Sequence, residues 1–266
     1  LNHQVIGDPQ LPHLVFLHGF LGRGADFIPI TKALLPHFCS ILIDLPGHGG
    51  SLLESAADYG MAATAQSVIQ VLEIVKSEHQ TILYGYSMGG RLGLYLALEY
   101  PEYFNRVILE STSAGLATES EKQSRIKSDK YWIQRLELNP SMPEFLTEWY
   151  AQPILKTLKQ QPNFAELLQK RSHNQPEYLV KSLREMGLGQ QPYLGDRLHH
   201  LSIPLKFLAG EFDSKFIALQ TELAARSPQA SLTIIPHAGH NAHWENPAAV
   251  IRKIANFAIG DAAYNA

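Results

Sequence analysis

The chain has 266 residues, 45% of them apolar and 18% charged, with a formal net charge of −3. That length accommodates one large domain or a core with an insertion, and the composition is that of a globular protein with ample core. Slight acidity without basic runs argues against nucleic acid or an anionic membrane as partner, and no apolar run nears the roughly 18 residues that a membrane helix needs.

Residues 14–17 are continuously apolar and predict a buried strand. A short helix over 31–38, a strand over 40–43, a helix over 62–78, a strand over 81–84, a helix over 91–99 and a strand over 106–109 follow. Short unbroken apolar strands alternating with helices predict a parallel sheet covered on both faces. Residues 112–200 lose that rhythm. They carry helical patterns over 121–138, 143–150, 163–172 and 176–186, with Ser141 and Glu144 at capping-box spacing for the second. Strands over 204–209 and 232–235 and helices over 219–225 and 248–259 then restore it. Asn246 and Pro247 suit the start of the last helix, Val250, Ile251, Ile254 and Phe257 make one apolar face, and 260–266 reads as a loose tail. The expected organisation is a core built from 1–111 and 201–266, interrupted by a helical cap over 112–200. The only cysteine, Cys39, rules out an internal disulfide and fits a reducing compartment. Residues 1–5 lack a signal or transit pattern, so a cytosolic protein is expected.

Chemistry concentrates at Gly85-Tyr86-Ser87-Met88-Gly89-Gly90-Arg91, between the strand over 81–84 and the following helix. A serine flanked by glycines in a strand–turn–helix context is a nucleophile elbow, with Ser87 lifted above the sheet at a helix N-terminus. A serine hydroxyl stays inert until a base takes its proton and a third group orients that base. His240, after Gly239 and just past the last predicted strand, is the base candidate; His237 and His243 read as hydrogen-bonded or surface loop histidines. Asp213, after the penultimate strand, is the acid, with Glu110 at the end of the strand over 106–109 as the alternative. Asp44, in Asp44-Leu45-Pro46-Gly47-His48-Gly49, and His18 read as loop braces. The backbone N–H groups of Phe20, after His18-Gly19, and of Met88 are candidate oxyanion donors.

With these pieces in chain order the sequence resembles the α/β-hydrolase fold over nearly its whole length. More narrowly, it resembles the 2-succinyl-6-hydroxy-2,4-cyclohexadiene-1-carboxylate (SHCHC) synthases, lyases of menaquinone and phylloquinone biosynthesis. The narrower likeness rests on the elbow through Arg91, Trp149-Tyr150-Ala151-Gln152-Pro153, Gly210-Glu211-Phe212-Asp213-Ser214-Lys215-Phe216 and Ala238-Gly239-His240-Asn241-Ala242-His243. The resemblance implies an elimination in which Ser87, activated by His240 and Asp213, removes a ring proton and pyruvate leaves. It implies a small substrate with three carboxylates and no metal or organic cofactor. Arg91, Arg125 and Arg171, with Tyr86 and Trp149, match the family's substrate-binding residues. Guanidinium groups grip carboxylates bidentately, and Arg91 stands one helical turn beyond Ser87, over the pocket. An ester or carbon–carbon bond hydrolase with the same triad, or a receptor without turnover, are the competing readings.

Overall fold

The computed structural model describes residues 1–76, 79–138 and 141–259. In chain order the strands and helices are β1 (His3–Ile6), β2 (His13–Leu17), α1 (Ile28–Leu34), β3 (Cys39–Ile43), α2 (Met61–Val75), β4 (Thr81–Tyr86), α3 (Met88–Glu99) and β5 (Arg106–Glu110). Then come α4 (Glu119–Leu138), α5 (Met142–Trp149), α6 (Phe164–Arg171), α7 (Pro176–Met186), β6 (Leu205–Gly210), α8 (Ser214–Ala224), β7 (Ala230–Ile235), α9 (Ala242–Glu245) and α10 (Pro247–Ile259). The strands form one seven-stranded sheet in the order β1-β3-β2-β4-β5-β6-β7. Only β1 runs antiparallel, against β3.

Successive residues of β2 feed opposite faces, as strand geometry requires. Leu14 and Phe16 pack with Ile30, Leu34, Val250 and Ile254 of α1 and α10. Val15 and Leu17 pack with Val68, Leu92 and Leu96 of α2 and α3. Burial on both faces explains why β2 is apolar throughout instead of alternating. The helices between β5 and β6 share a third apolar cluster that includes Ile133, Phe145, Leu167, Leu179 and Leu183. Among the described residues, no helix is long and apolar enough to cross a membrane.

Several expected boundaries move. Strand β1 was not anticipated, because its only apolar residues are Val5 and Ile6 and its edge position leaves it largely outside the core. Helix α1 starts at Ile28, with Pro29 in its first turn, and ends at Leu34. Helix α2 ends at Val75, and the end expected at Glu78 lies outside the described residues, as does the tail over 260–266. Ser141 stands at the N-cap of α5, but its side chain makes no capping bond. Asn246 does cap α10, accepting the Ala249 N–H at 3.1 Å.

Candidate active site

Parallel strands deliver their carboxyl ends to one rim, and loops leaving that rim meet over the sheet. Register sets Leu17 beside Gly85 and Gly85 beside Leu109, so the loops after β2, β4 and β5 converge. Ser87 occupies the turn after β4 with φ 50° and ψ −105°. A non-glycine residue held there costs about 1–3 kcal/mol and persists because its surroundings over-determine it. Its N–H donates to the Glu110 carbonyl at 2.9 Å, and Thr112 Oγ1 donates to its carbonyl at 3.1 Å. A Cβ on Gly85 would lie 2.5 Å from the Gly89 carbonyl oxygen, and one on Gly89 would collide with the Leu17 carbonyl. The glycines are therefore steric requirements of the turn.

The loops after β6 and β7 are laced together by Glu211 N–H to Ile235 O and Phe212 N–H to Ala238 O, both 2.9 Å. That lacing brings Asp213 to His240. His240 Nδ1 donates to Asp213 Oδ2 at 2.8 Å, and His240 Nε2 lies 3.4 Å from Ser87 Oγ. Asp213 is also the N-cap of α8, its Oδ1 accepting the Phe216 N–H at 3.4 Å. This double duty explains why α8 begins at Ser214, five residues ahead of its expected start at 219. His240 and Asp213 are both buried, as low-dielectric proton transfer favours. Glu245, unremarked in the sequence, grips the backbone on either side of His240: Gly239 N–H at 2.9 Å and Asn241 N–H at 3.4 Å.

A cavity of about 180 Å³ opens over Ser87, and Phe20, Tyr86, Met88, Arg91, Arg125, Trp149 and His240 line it. Met88 opens α3, so its N–H has no intrahelical partner and is free for a ligand oxygen. Phe20 packs on Trp149 at 4.9 Å between ring centroids. Its loop is braced by two imidazoles. The Leu45 N–H donates to His18 Nε2 at 2.9 Å, and the Leu21 N–H donates to His48 Nε2 at 3.1 Å. Because each Nε2 accepts, the proton sits on Nδ1, facing the Gly19 and Pro46 carbonyls. Burial lowers the pKa of His18 and takes that of His48 well below the usual histidine range. Asp44 braces the same region, accepting from Gly24 and Gly50 N–H at 2.8 Å each.

Arg91 Nη1 donates to Gln191 Oε1 at 2.6 Å and to the Met186 carbonyl at 3.1 Å. Burial, and then Arg125 facing it, pull the Arg91 guanidinium down to about 9, which still leaves it charged at neutral pH. Arg125 Nε pairs with Asp129 Oδ1 at 2.8 Å, one helical turn along α4. Burial raises the Asp129 carboxyl against the opposing pull of Arg125. Lys215 adds a third cation to the cavity wall, and among the described residues no carboxylate lines it.

Arg171 stands apart from this group. It is buried with Nη1 2.6 Å from Asp26 Oδ2, and it borders a smaller cavity of about 30 Å³ beside Phe20, Tyr86 and Trp149. Burial works against its charge, but Asp26 and Tyr150 more than offset that and raise its pKa. Arg171, which the resemblance assigns to substrate binding, is thus paired with Asp26 in this structure. Its partner lies 145 positions away in sequence, beyond any local signal. Gln191 had no local signal either, whereas Asp129 was readable as an i,i+4 partner of Arg125. The Glu110 carboxylate accepts from His243 Nδ1 at 2.9 Å. His243 is consequently buried, while His237 is exposed beside Glu211.

The family model described as alpha/beta hydrolase fold matches residues 12–247. The 2-succinyl-6-hydroxy-2,4-cyclohexadiene-1-carboxylate synthase of Salmonella paratyphi C is 38% identical over 250 residues, covering 94% of each chain. That of Pectobacterium atrosepticum is 36% identical over 253 residues, again 94% of each. Among solved structures, MenH from S. aureus superposes with a TM-score of 0.90 at 29% identity, covering 96% of this chain and 97% of its own. A thermophilic esterase from Thermogutta terrifontis reaches 0.81 at 24% identity, covering 96% and 92%, a likeness of fold alone. By the family model and by identity of this extent, the chain belongs to the α/β-hydrolase fold family and, within it, to the SHCHC synthases.

Proposed function

We propose that the chain eliminates pyruvate from 2-succinyl-5-enolpyruvyl-6-hydroxy-3-cyclohexene-1-carboxylate to give SHCHC, with Ser87, His240 and Asp213 as the catalytic triad. The observation that carries this reading is one cavity holding the Ser87–His240 pair together with Arg91, Arg125 and Lys215. Three cations suit a substrate with three carboxylates, since charge-assisted bonds in a partly closed site are stronger than in water. A neutral ester would offer Arg91 and Lys215 no carboxylate.

The chemistry follows from the positions in the two names. Ser87 Oγ takes the proton from ring carbon 2, next to the succinyl ketone, as His240 takes the serine proton. The C–H electron pair becomes the new 2,3 double bond, the 3,4 bond shifts to 4,5, and the bond from carbon 5 to the enolpyruvyl oxygen breaks. The departing enolate takes up a proton and becomes pyruvate. Charge that develops on the succinyl ketone oxygen meets the amides of Phe20 and Met88. Asp213 holds the imidazole tautomer and stabilises its protonated form. Arg91 and Arg125, with Tyr86 and Trp149, bind the substrate, and Arg171, already matched by Asp26, shapes the adjoining end of the pocket. Residues 112–200 serve as a cap on the core of 1–111 and 201–266. A small anionic metabolite as substrate and one buried free thiol, Cys39, fit a cytosolic enzyme.

The test is a pyruvate-release assay on the purified protein. Pyruvate should appear in step with SHCHC, and Ser87→Ala should lower the rate by about 10²–10⁴-fold, the range for loss of a positioned base. Rapid hydrolysis of activated esters without pyruvate release would replace the lyase with a hydrolase.

A further inference from the structure

Glu110 is the last residue of β5 and is fully buried. A carboxylate taken wholly out of water carries a penalty of several kcal/mol unless donors surround it. Here they do. His243 Nδ1 lies 2.9 Å from Oε2 and 3.1 Å from Oε1, the His243 backbone N–H donates to Oε1 at 3.1 Å, and the Tyr84 hydroxyl donates to Oε2. The same residue's carbonyl accepts the Ser87 N–H at 2.9 Å. Glu110 therefore holds the nucleophile's backbone with its own backbone and the base's loop with its side chain.

His243 follows His240 by three residues, on the short helix α9. Its ring meets Tyr86, next to Ser87, edge-on with centroids 4.6 Å apart, and Phe27 at 4.9 Å. Tyr86 in turn lies 5.8 Å from the His240 ring. We propose that Glu110 is a positioning residue: through His243 it keeps the loop bearing His240 at working distance from Ser87, while the proton chemistry stays with Asp213. This assignment rests on the triad reading above and deepens it. The Ser87–His240 separation of 3.4 Å sits at the long end of a hydrogen bond, so further drift of the loop breaks the proton relay.

The test reads Ser87 activation with and without the physiological substrate. A fluorophosphonate probe labels an activated serine: the Oγ–P bond forms, fluoride leaves, and His240 receives the hydroxyl proton. In Glu110→Gln, labelling rate and pyruvate-release kcat should both fall at least ~10-fold with KM within about twofold, since a misplacement near 1 Å costs of that order or more. His243→Asn, which offers an amide donor near the Nδ1 position, should keep at least about a third of the wild-type labelling rate. His243→Phe, which keeps a ring but no donor, should fall with Glu110→Gln. Should Glu110→Gln fail to fold, the His243 pair decides. Wild-type labelling rates in folded Glu110→Gln or His243→Phe would overturn the proposal. So would equal losses in His243→Asn and His243→Phe. Absent labelling of wild-type Ser87 would overturn it together with the triad. If wild-type Ser87 labels but pyruvate never appears, the lyase reading alone fails, and the labelling rates still judge Glu110.

Discussion

Arg91→Met separates the binding cation from the serine machinery. Methionine keeps an unbranched apolar stem and discards the charge. On the stability side, the change orphans Gln191 Oε1 and the Met186 carbonyl, which accept from Arg91 Nη1 at 2.6 and 3.1 Å. A buried acceptor left without a donor costs about 1–3 kcal/mol. Against that, a cation in the first turn of α3 opposes the helix dipole by about 0.3–1 kcal/mol, and the change also removes its repulsion by Arg125. Before relief of that repulsion the net loss is about 1–6 kcal/mol, a fall of a few degrees or more in Tm for a protein of this size. On the binding side, one charge-assisted hydrogen bond is worth about 1.5–3 kcal/mol, so KM should rise roughly 10–150-fold. Ser87, His240 and Asp213 are untouched, so kcat should stay within about threefold. Pyruvate release coupled to lactate dehydrogenase gives both constants, and a melting curve gives Tm. An unchanged KM beside a lowered Tm would make Arg91 a packing residue and remove the argument that the cavity selects a polyanion.

Asp129→Asn frees Arg125, whose side chain is 37% exposed, to leave the cavity. The ~2 kcal/mol of arginine rotamer entropy sets an upper bound of about 30-fold on the KM rise, and the effect should vanish in an Arg125→Ala background. Acid should loosen the Phe20 loop. Burial lowers the pKa of both His18 and His48, so below about pH 6.5 the unfolded chain binds protons that the folded one refuses, and stability falls with pH by up to ~1.4 kcal/mol per unit for each histidine. His48→Gln should make that acid slope shallower by one histidine's share in urea titrations, and an unaltered slope would refute the assignment. Gly85→Ala should yield misfolded or inactive protein, since its Cβ falls 2.5 Å from the Gly89 carbonyl oxygen; a normal melting curve with full activity would show a looser elbow.

What could be read from the sequence was whatever local chemistry enforces. The run 14–17 had to be a central strand because nothing polar interrupts it, and the elbow glycines announced a turn that no larger residue could make. Asp213 and Glu110 both follow strands and both fall between Ser87 and His240, so chain order did not separate them. What brings Asp213 against His240 is the lacing of the loops after β6 and β7, a contact between elements that no local pattern encodes. Edge strand β1 escaped notice because pairing with β3, not burial, makes it a strand. Ion pairing was one reading of Arg171, but its partner was not legible, since Asp26 lies 145 positions away in sequence.

The charge balance of the cavity explains how a hydrolase scaffold can serve an elimination. Ser87, His240 and two backbone amides would serve acyl transfer as well as proton abstraction, so they do not choose between the two. The choice lies in what the cavity holds still. Arg125 lies close enough to Arg91 to disfavour its charge, and Asp129, which feels both arginines, carries only one compensating charge. The free enzyme is left with an uncompensated cation beside its serine, which an arriving carboxylate relieves. A substrate bound by several carboxylates is held at its periphery, so its ring, rather than an acyl carbon, comes to rest over Ser87. On the proposed assignment, proton removal would then need only the base, and the pyruvate enolate would leave from a ring that the arginines keep in place.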